Sequence, residues 1–246
     1  KIKGWPLGYI LYAQIPFYRL MMTQIKYLDY ITYWSIILLP FSMSIAPAPM
    51  NVFMGLAIFA FLLKKILKKE HSFARTALNL PLIFLFIITS LSIFNSISYK
   101  DSLKGGMLRL LQYIVMFFIM LEEVKDKRHI KKIVLLVTLG LILVSLDGLF
   151  QVFTGKDFIR QYSPVVNIGL VRATASFKDA NTFGIYLSAL TPLLFGLTLY
   201  YFRGRKKIIM SIISIMVLVA ALITYSRPTI LAIYIALFIL AIIKRD

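Results

Sequence analysis

The sequence predicts an all-α fold: a polytopic transmembrane bundle of about eight helices with its N-terminus in the cytoplasm. Three observations carry this expectation. Of the 246 residues, 60% are hydrophobic and only 15% charged, against about 45–50% and about 25% in ordinary soluble domains; mean hydropathy is +0.83. The apolar residues gather into eight spans, at about 30–46, 50–63, 78–98, 105–121, 133–152, 182–202, 208–225 and 229–243. Finally, strongly basic connections follow every second span. Eight membrane-crossing helices of about 20 residues use roughly 160 positions, whereas a soluble core of this size would leave large apolar patches facing water.

The composition also excludes several chemistries. With no Cys, disulfides, thiol nucleophiles and iron–sulfur clusters are ruled out. The two His, His71 and His129, stand in Lys/Arg-rich connections without a second metal-ligand candidate beside them, and read as solvated cytoplasmic residues. The formal charge of +18 is carried in short runs between apolar spans, which is a topology signal and not a nucleic-acid footprint.

Residues 1–29 mix Trp5, several Tyr and scattered Lys and Arg, with apolar stretches interrupted by Pro6 and Pro16. They are expected to form an interfacial segment or to lie upstream of the true start, with the transmembrane domain running over 30–246. Ala-Pro-Ala-Pro (46–49) separates the first two spans as a tight turn, since proline cannot continue a helix interior. Lys64, Lys65, Lys68, Lys69 and Arg75 follow span 2, and Lys125, Lys127, Arg128, Lys131 and Lys132 follow span 4. Arg203, Arg205, Lys206 and Lys207 follow span 6; Lys244 and Arg245 follow span 8. With four residues before position 30, these hold 20 of the 28 Lys and Arg. The positive-inside rule then places them in the cytoplasm and turns the connections at 46–51, 99–104, 153–181 and 226–228 outward. Residues 208–243 read as one apolar run of roughly 54 Å at 1.5 Å per residue, too long for a hydrocarbon layer of about 30 Å. Pro228 supplies the break, so the chain reverses at Tyr225-Ser226-Arg227-Pro228.

The outward side concentrates the candidate chemistry. Helices starting near Asn51, Gly105, Asn181 and Pro228 present N-termini outward, each with free N–H groups and about half a positive charge; Asn51, Asn181 and Ser226 are candidate caps. Lys104, Arg109, Arg160, Arg172, Lys178 and Arg227 add charge, giving a vestibule suited to a phosphate or diphosphate. Arg172 and Arg227 supply planar donor forks, although the same residues also suit lipid headgroups or a snorkelling anchor. Asp147, within span 5, reads as a proton acceptor or as the counter-ion of one Arg, or else as a structural hydrogen-bonding group. Gln151 shares its helix face and reads as a partner for a neighbouring helix in preference to a sugar hydroxyl.

The outward loop and the last hairpin resemble a known family. Arg172-Ala-Thr-Ala-Ser-Phe-Lys-Asp-Ala-Asn181-Thr-Phe-Gly-Ile-Tyr-Leu187, then Thr191-Pro192-Leu193, is similar to the stretch opening the core of the O-antigen ligase/polymerase family. Thr224-Tyr-Ser226-Arg227 resembles that family's Thr-x-Ser-Arg hairpin. Ala180 stands where the family usually has Pro, and Pro228 where Gly commonly follows Ser-Arg. The resemblance implies a multi-pass GT-C glycosyltransferase of the bacterial inner membrane, active in surface polysaccharide biosynthesis (O-antigen, lipopolysaccharide or capsule). Its donor would be a polyprenyl-diphosphate-linked glycan such as one on undecaprenyl diphosphate, and its acceptor another glycan or a lipid core, with no metal or other cofactor. Arg172 and Arg227 would then hold the diphosphate, with Asp179 and Asn181 shaping the helix start beneath them. Asp147 joins the two Arg as a catalytic candidate, while Arg109, Arg160, Lys178 and Ser226 complete the expected binding surface. The family continues into an outward segment bearing a catalytic His, so this chain is expected to be the N-terminal two-thirds of such an enzyme and inactive alone. The alternative reading is a transporter or flippase for an anionic or lipid-linked substrate, using the same positive cavity.

Overall fold

The structure, a computed structural model, describes residues 7–70, 72–167 and 169–243. It is 79% helical. In chain order the helices are α1 (Leu7–Ile45), α2 (Pro47–Lys68), α3 (Asn79–Asn95), α4 (Tyr99–Glu123), α5 (Lys127–Thr154), α6 (Ala180–Tyr200), α7 (Gly204–Leu222) and α8 (Arg227–Ile243). Between α5 and α6 lies a two-stranded antiparallel hairpin, β1 (Val165–Asn167) and β2 (Leu170–Arg172). By length and composition five helices can cross a membrane: Arg19–Ile45 of α1, then α2, α4, α5 and α6. The chain is thus an all-α, multi-pass membrane protein. α3 and α8 are shorter apolar helices, and α7 opens on Arg205, Lys206 and Lys207 before its apolar run begins.

Several local expectations are corrected. Pro16 does not interrupt the first segment, because α1 runs unbroken from Leu7 to Ile45. The Ala-Pro-Ala-Pro turn shrinks to the single residue Ala46, and Pro47 and Pro49 enter the first turn of α2. There their missing N–H groups would have had no helical partner anyway, and their fixed φ suits the helix. Residues 99–104, expected as a connection, belong to α4, whose Ser102–Leu108 stretch is a π-helical turn. The reversal before α8 occupies residues 223–226 instead of 225–228, with Tyr225 in the left-handed region at φ +48°.

The chain divides into two compact units, one of residues 1–39 and 51–131, the other of 40–50 and 132–246. In the first, Lys64 and Lys65, which the charge pattern put in a basic connection, are both buried. Lys64 Nζ pairs with Asp29 at 2.9 Å and with Glu123. Lys65 Nζ pairs with Glu122 at 2.8 Å, donates to the Ser72 carbonyl at 2.7 Å, and lies about 5 Å from the ring centroids of Phe61 and Phe73. His129 is likewise not simply solvated, its ring packing on Tyr33 with centroids 4.5 Å apart. His71, Lys244 and Arg245 lie outside the described residues, as do Trp5 and Pro6.

The second unit is built on α5, α6, α7 and α8, with Leu141, Val144, Phe183, Leu187, Val217 and Ile233 in its core. Small residues let its helices approach. A Cβ on Gly148 of α5 would stand 2.9 Å from the Phe183 ring of α6. One on Gly184 of α6 would overlap Thr229 Oγ1 and lie 3.2 Å from Ser226 Cβ at the start of α8. Such small-residue contacts are how apolar helices pack where water supplies no driving force between them.

Candidate functional site

The α5–α6 connection folds over one end of the second unit, and its backbone is held by side chains of α5. Gln151, fully buried, accepts from Thr174 N at 2.7 Å and Ala175 N at 2.9 Å. Its Nε2 donates to the Tyr162 carbonyl and to Thr174 Oγ1, both at 2.9 Å. One turn earlier, Asp147 Oδ1 accepts from Phe158 N at 2.8 Å. Asp157 accepts from Arg160 N and Tyr162 N, closing the loop on itself. Ser176 Oγ donates to the Ser44 carbonyl at 2.6 Å. Residues 173–176 are consequently buried, and Arg172 stands at the lip where this strap meets solvent.

Arg172 is half-buried and joins two elements. Its Nε donates to the Thr224 carbonyl in the α7–α8 reversal at 2.9 Å, and Nη2 donates to Asn181 Oδ1 at 2.8 Å. The adjacent Ala173 N donates to the Ile223 carbonyl at 3.0 Å, so β2 is stitched to the same turn. Of the five guanidinium N–H groups, both on Nη1 and one on Nη2 have no partner among the described residues. Arg227 follows Thr224 by three residues, in the first turn of α8. It is exposed, and its side chain has no hydrogen bond or ion pair among the described residues. A cation opposes the positive end of a helix dipole, and α8 has no acidic residue in its first turn. An anion over this turn would relieve both charges.

Of the four helix N-termini expected to face a ligand, that of α8 starts within a residue of its expected place and has no acidic residue in its first turn. α6 is capped by Asp179, which accepts from Asn181 N and Thr182 N at 2.9 Å each. The Thr182 hydroxyl, the two backbone N–H groups and the nearby Arg172 charge hold the Asp179 carboxyl below its ordinary value, against a smaller opposing effect of desolvation. Asn181 is therefore not the cap; it lies inside the first turn and orients Arg172. α2 begins at Pro47, not Asn51, and Gly105 is internal to α4. Ser226 directly precedes α8 and is buried, donating its N–H to Thr224 Oγ1 at 3.2 Å.

The other candidates divide. Lys178 is exposed beside Asp179. Arg160 is engaged locally, its guanidinium 4.4 Å from the Tyr162 ring centroid and Nη1 donating to the Ser176 carbonyl at 3.3 Å. Asp147 is fully buried and forms no ion pair among the described residues, so the expected counter-ion role is corrected to anchorage of the loop at Phe158. Arg109 is exposed on α4, in the first unit. Comparison with known proteins finds no matching family model, curated protein or solved structure. Sequence reasoning underrated Gln151, and only its position one turn after Asp147 on an apolar helix pointed to it.

Proposed function

We propose that the chain forms part of a glycosyltransferase of the O-antigen ligase/polymerase type, holding a polyprenyl-diphosphate-linked glycan at the outer face of a bacterial inner membrane. In this reading all eight apolar helices cross the bilayer, the N-terminus is cytoplasmic, and the α5–α6 connection with the α7–α8 reversal faces outward. The single observation that carries it is the convergence of Arg172 on the turn leading to Arg227. One guanidinium is fixed by Thr224 and Asn181 with three donors to spare, and the other is exposed on a helix start without an acidic residue. A diphosphate offers the paired oxygens that such forks bind, and its charge would be stabilised by the α8 N-terminus. Withdrawing electron density from the diphosphate makes it a better leaving group: the acceptor hydroxyl attacks the anomeric carbon and gives its proton to a base, the His that the family resemblance implies, as the bond from that carbon to the diphosphate oxygen breaks and the polyprenyl diphosphate departs.

The test is made in the cell that carries the gene, with Arg172→Lys and Arg227→Lys introduced separately. Each variant is expected to accumulate lipid-linked glycan and to lose finished polysaccharide: a lysine at 172 cannot span Thr224, Asn181 and a phosphate at once, and one at 227 lacks the planar fork that binds paired phosphate oxygens. Wild-type polysaccharide from both variants rejects the assignment. Unaltered glycan chemistry with altered movement of lipid-linked intermediates favours a transporter instead.

A further inference from the structure

We infer that Gln151 is a positioning residue that sets Arg172 through the buried strap 173–176; the inference rests on the anion-binding reading above for its ligand readout alone. Every hydrogen-bonding capacity of the Gln151 amide is used, two accepted and two donated bonds, which also fixes which way round the amide sits. The bonds reach both sides of the β-hairpin: Tyr162 before β1, and Thr174 and Ala175 just beyond β2. They hold Ala175 in a left-handed conformation at φ +48°, which is strained for an alanine and persists only where its surroundings impose it. From that pinned point the chain has one short path to the α7–α8 reversal, where Ala173 N meets the Ile223 carbonyl and Arg172 Nε meets the Thr224 carbonyl. The side chain that aims the guanidinium thus belongs to α5, twenty-one residues earlier, and touches no ligand.

Replacing Gln151 with Met keeps its bulk and leaves Thr174 N and Ala175 N unpaired in the interior, where such groups are poorly tolerated, while the Tyr162 carbonyl keeps the Asp157 N–H. Gln151→Glu restores the acceptor for the two amides on the Arg172 side. The expected result, with the whole chain in lipid nanodiscs and inorganic pyrophosphate as probe, is a loss of affinity of about tenfold or more for Gln151→Met and within about threefold of wild type for Gln151→Glu. In an Arg172→Gln background, Gln151→Met should cause no further loss, because its effect passes through Arg172. A further tenfold loss in that background overturns the inference.

A second arm needs no ligand. The chain has no native Cys, so Val171→Cys and Tyr225→Cys, both at exposed positions, accept spin labels cleanly. The label-to-label distance is expected to be narrow with Gln151 and with Glu at that position, and broad or shifted with Met. An unchanged distribution in Gln151→Met overturns the positioning role. Absence of pyrophosphate binding by the wild type, with a distribution that broadens as expected, rejects the anion reading while upholding the positioning.

Discussion

Gly184→Ala tests the packing that places the α7–α8 reversal against α6. The added methyl would overlap Thr229 Oγ1 and lie 3.1 Å from Thr229 Cβ and 3.2 Å from Ser226 Cβ. The hydroxyl alone could swing aside, but the two Cβ atoms are fixed to the first turn of α8 and its preceding residue, and they yield only if that backbone moves. Thr229 and Ser226 are both buried, so no solvent-filled space receives the displaced groups. Forcing a methyl into a filled interior typically costs about 1–3 kcal/mol, and with backbone-attached atoms in the way we expect about 2 kcal/mol, of order a 30-fold drop in the folded-to-unfolded ratio. The assay is equilibrium unfolding in mixed micelles followed by far-ultraviolet circular dichroism. Thr229→Ala provides the second limb of a double-mutant cycle. Thr229 Oγ1 has no hydrogen-bond partner among the described residues, so removing it sacrifices no polar contact. It should recover part of the Gly184→Ala loss, with a coupling of at least about 0.5 kcal/mol. A Gly184→Ala protein within about 0.5 kcal/mol of wild type, or strict additivity with Thr229→Ala, refutes the reasoning.

Two further outcomes follow from the electrostatics. Lys64→Met should destabilise the protein toward the low end of the roughly 3–5 kcal/mol seen when a buried pair loses one partner, because Asp29 and Glu123 retain side-chain exposures of 48% and 21%; unfolding of Lys64→Met alone and combined with Glu123→Gln measures it. The Asp179 carboxyl is held below its ordinary value, so its capping contribution is complete above the unfolded pKa of about 4 and is lost as pH falls below that through the folded value. Amide exchange at Asn181 and Thr182, corrected for the intrinsic pH dependence, should lose protection in that window in the wild type and be unprotected at neutral pH in Asp179→Ala.

Much of the architecture is legible in the sequence because long apolar runs have few alternatives. Every predicted span finds a helix, with boundaries shifted where propensity and tertiary context compete. Proline is the clearest example: Pro47 and Pro49 read as a broken turn, yet at a helix start they are favourable, and Pro16 is carried within a helix that continues past it. Charge was harder to read. A basic run after an apolar span gives sidedness but no partners, and only three-dimensional proximity reveals that Lys64 and Lys65 meet Asp29, Glu122 and Glu123. The hairpin turn with Arg227 was approachable from Pro228, whereas the tie between Arg172 and Thr224 joins residues 52 positions apart and leaves no local pattern. Asp179 takes the cap assigned to Asn181 because the helix starts two residues earlier than expected, which makes Asn181 N and Thr182 N the groups to be capped and puts Asn181 inside the first turn.

The wide π turn at Ser102–Leu108 has a consequence for the far end of α4. Such a turn holds one residue more than the α-helical ladder would, and each residue of an α-helix advances the azimuth by about 100°. Deleting a single residue there would let the turn relax to ordinary winding and leave Phe118, Ile119, Glu122 and Glu123 near their present bearings. The same deletion in the regular helix beyond it would swing them by about that angle, and the two acidic groups that neutralise Lys64 and Lys65 would face elsewhere. The stretch around the Gly105-Gly106 pair is therefore where α4 can lose a residue without turning its far end.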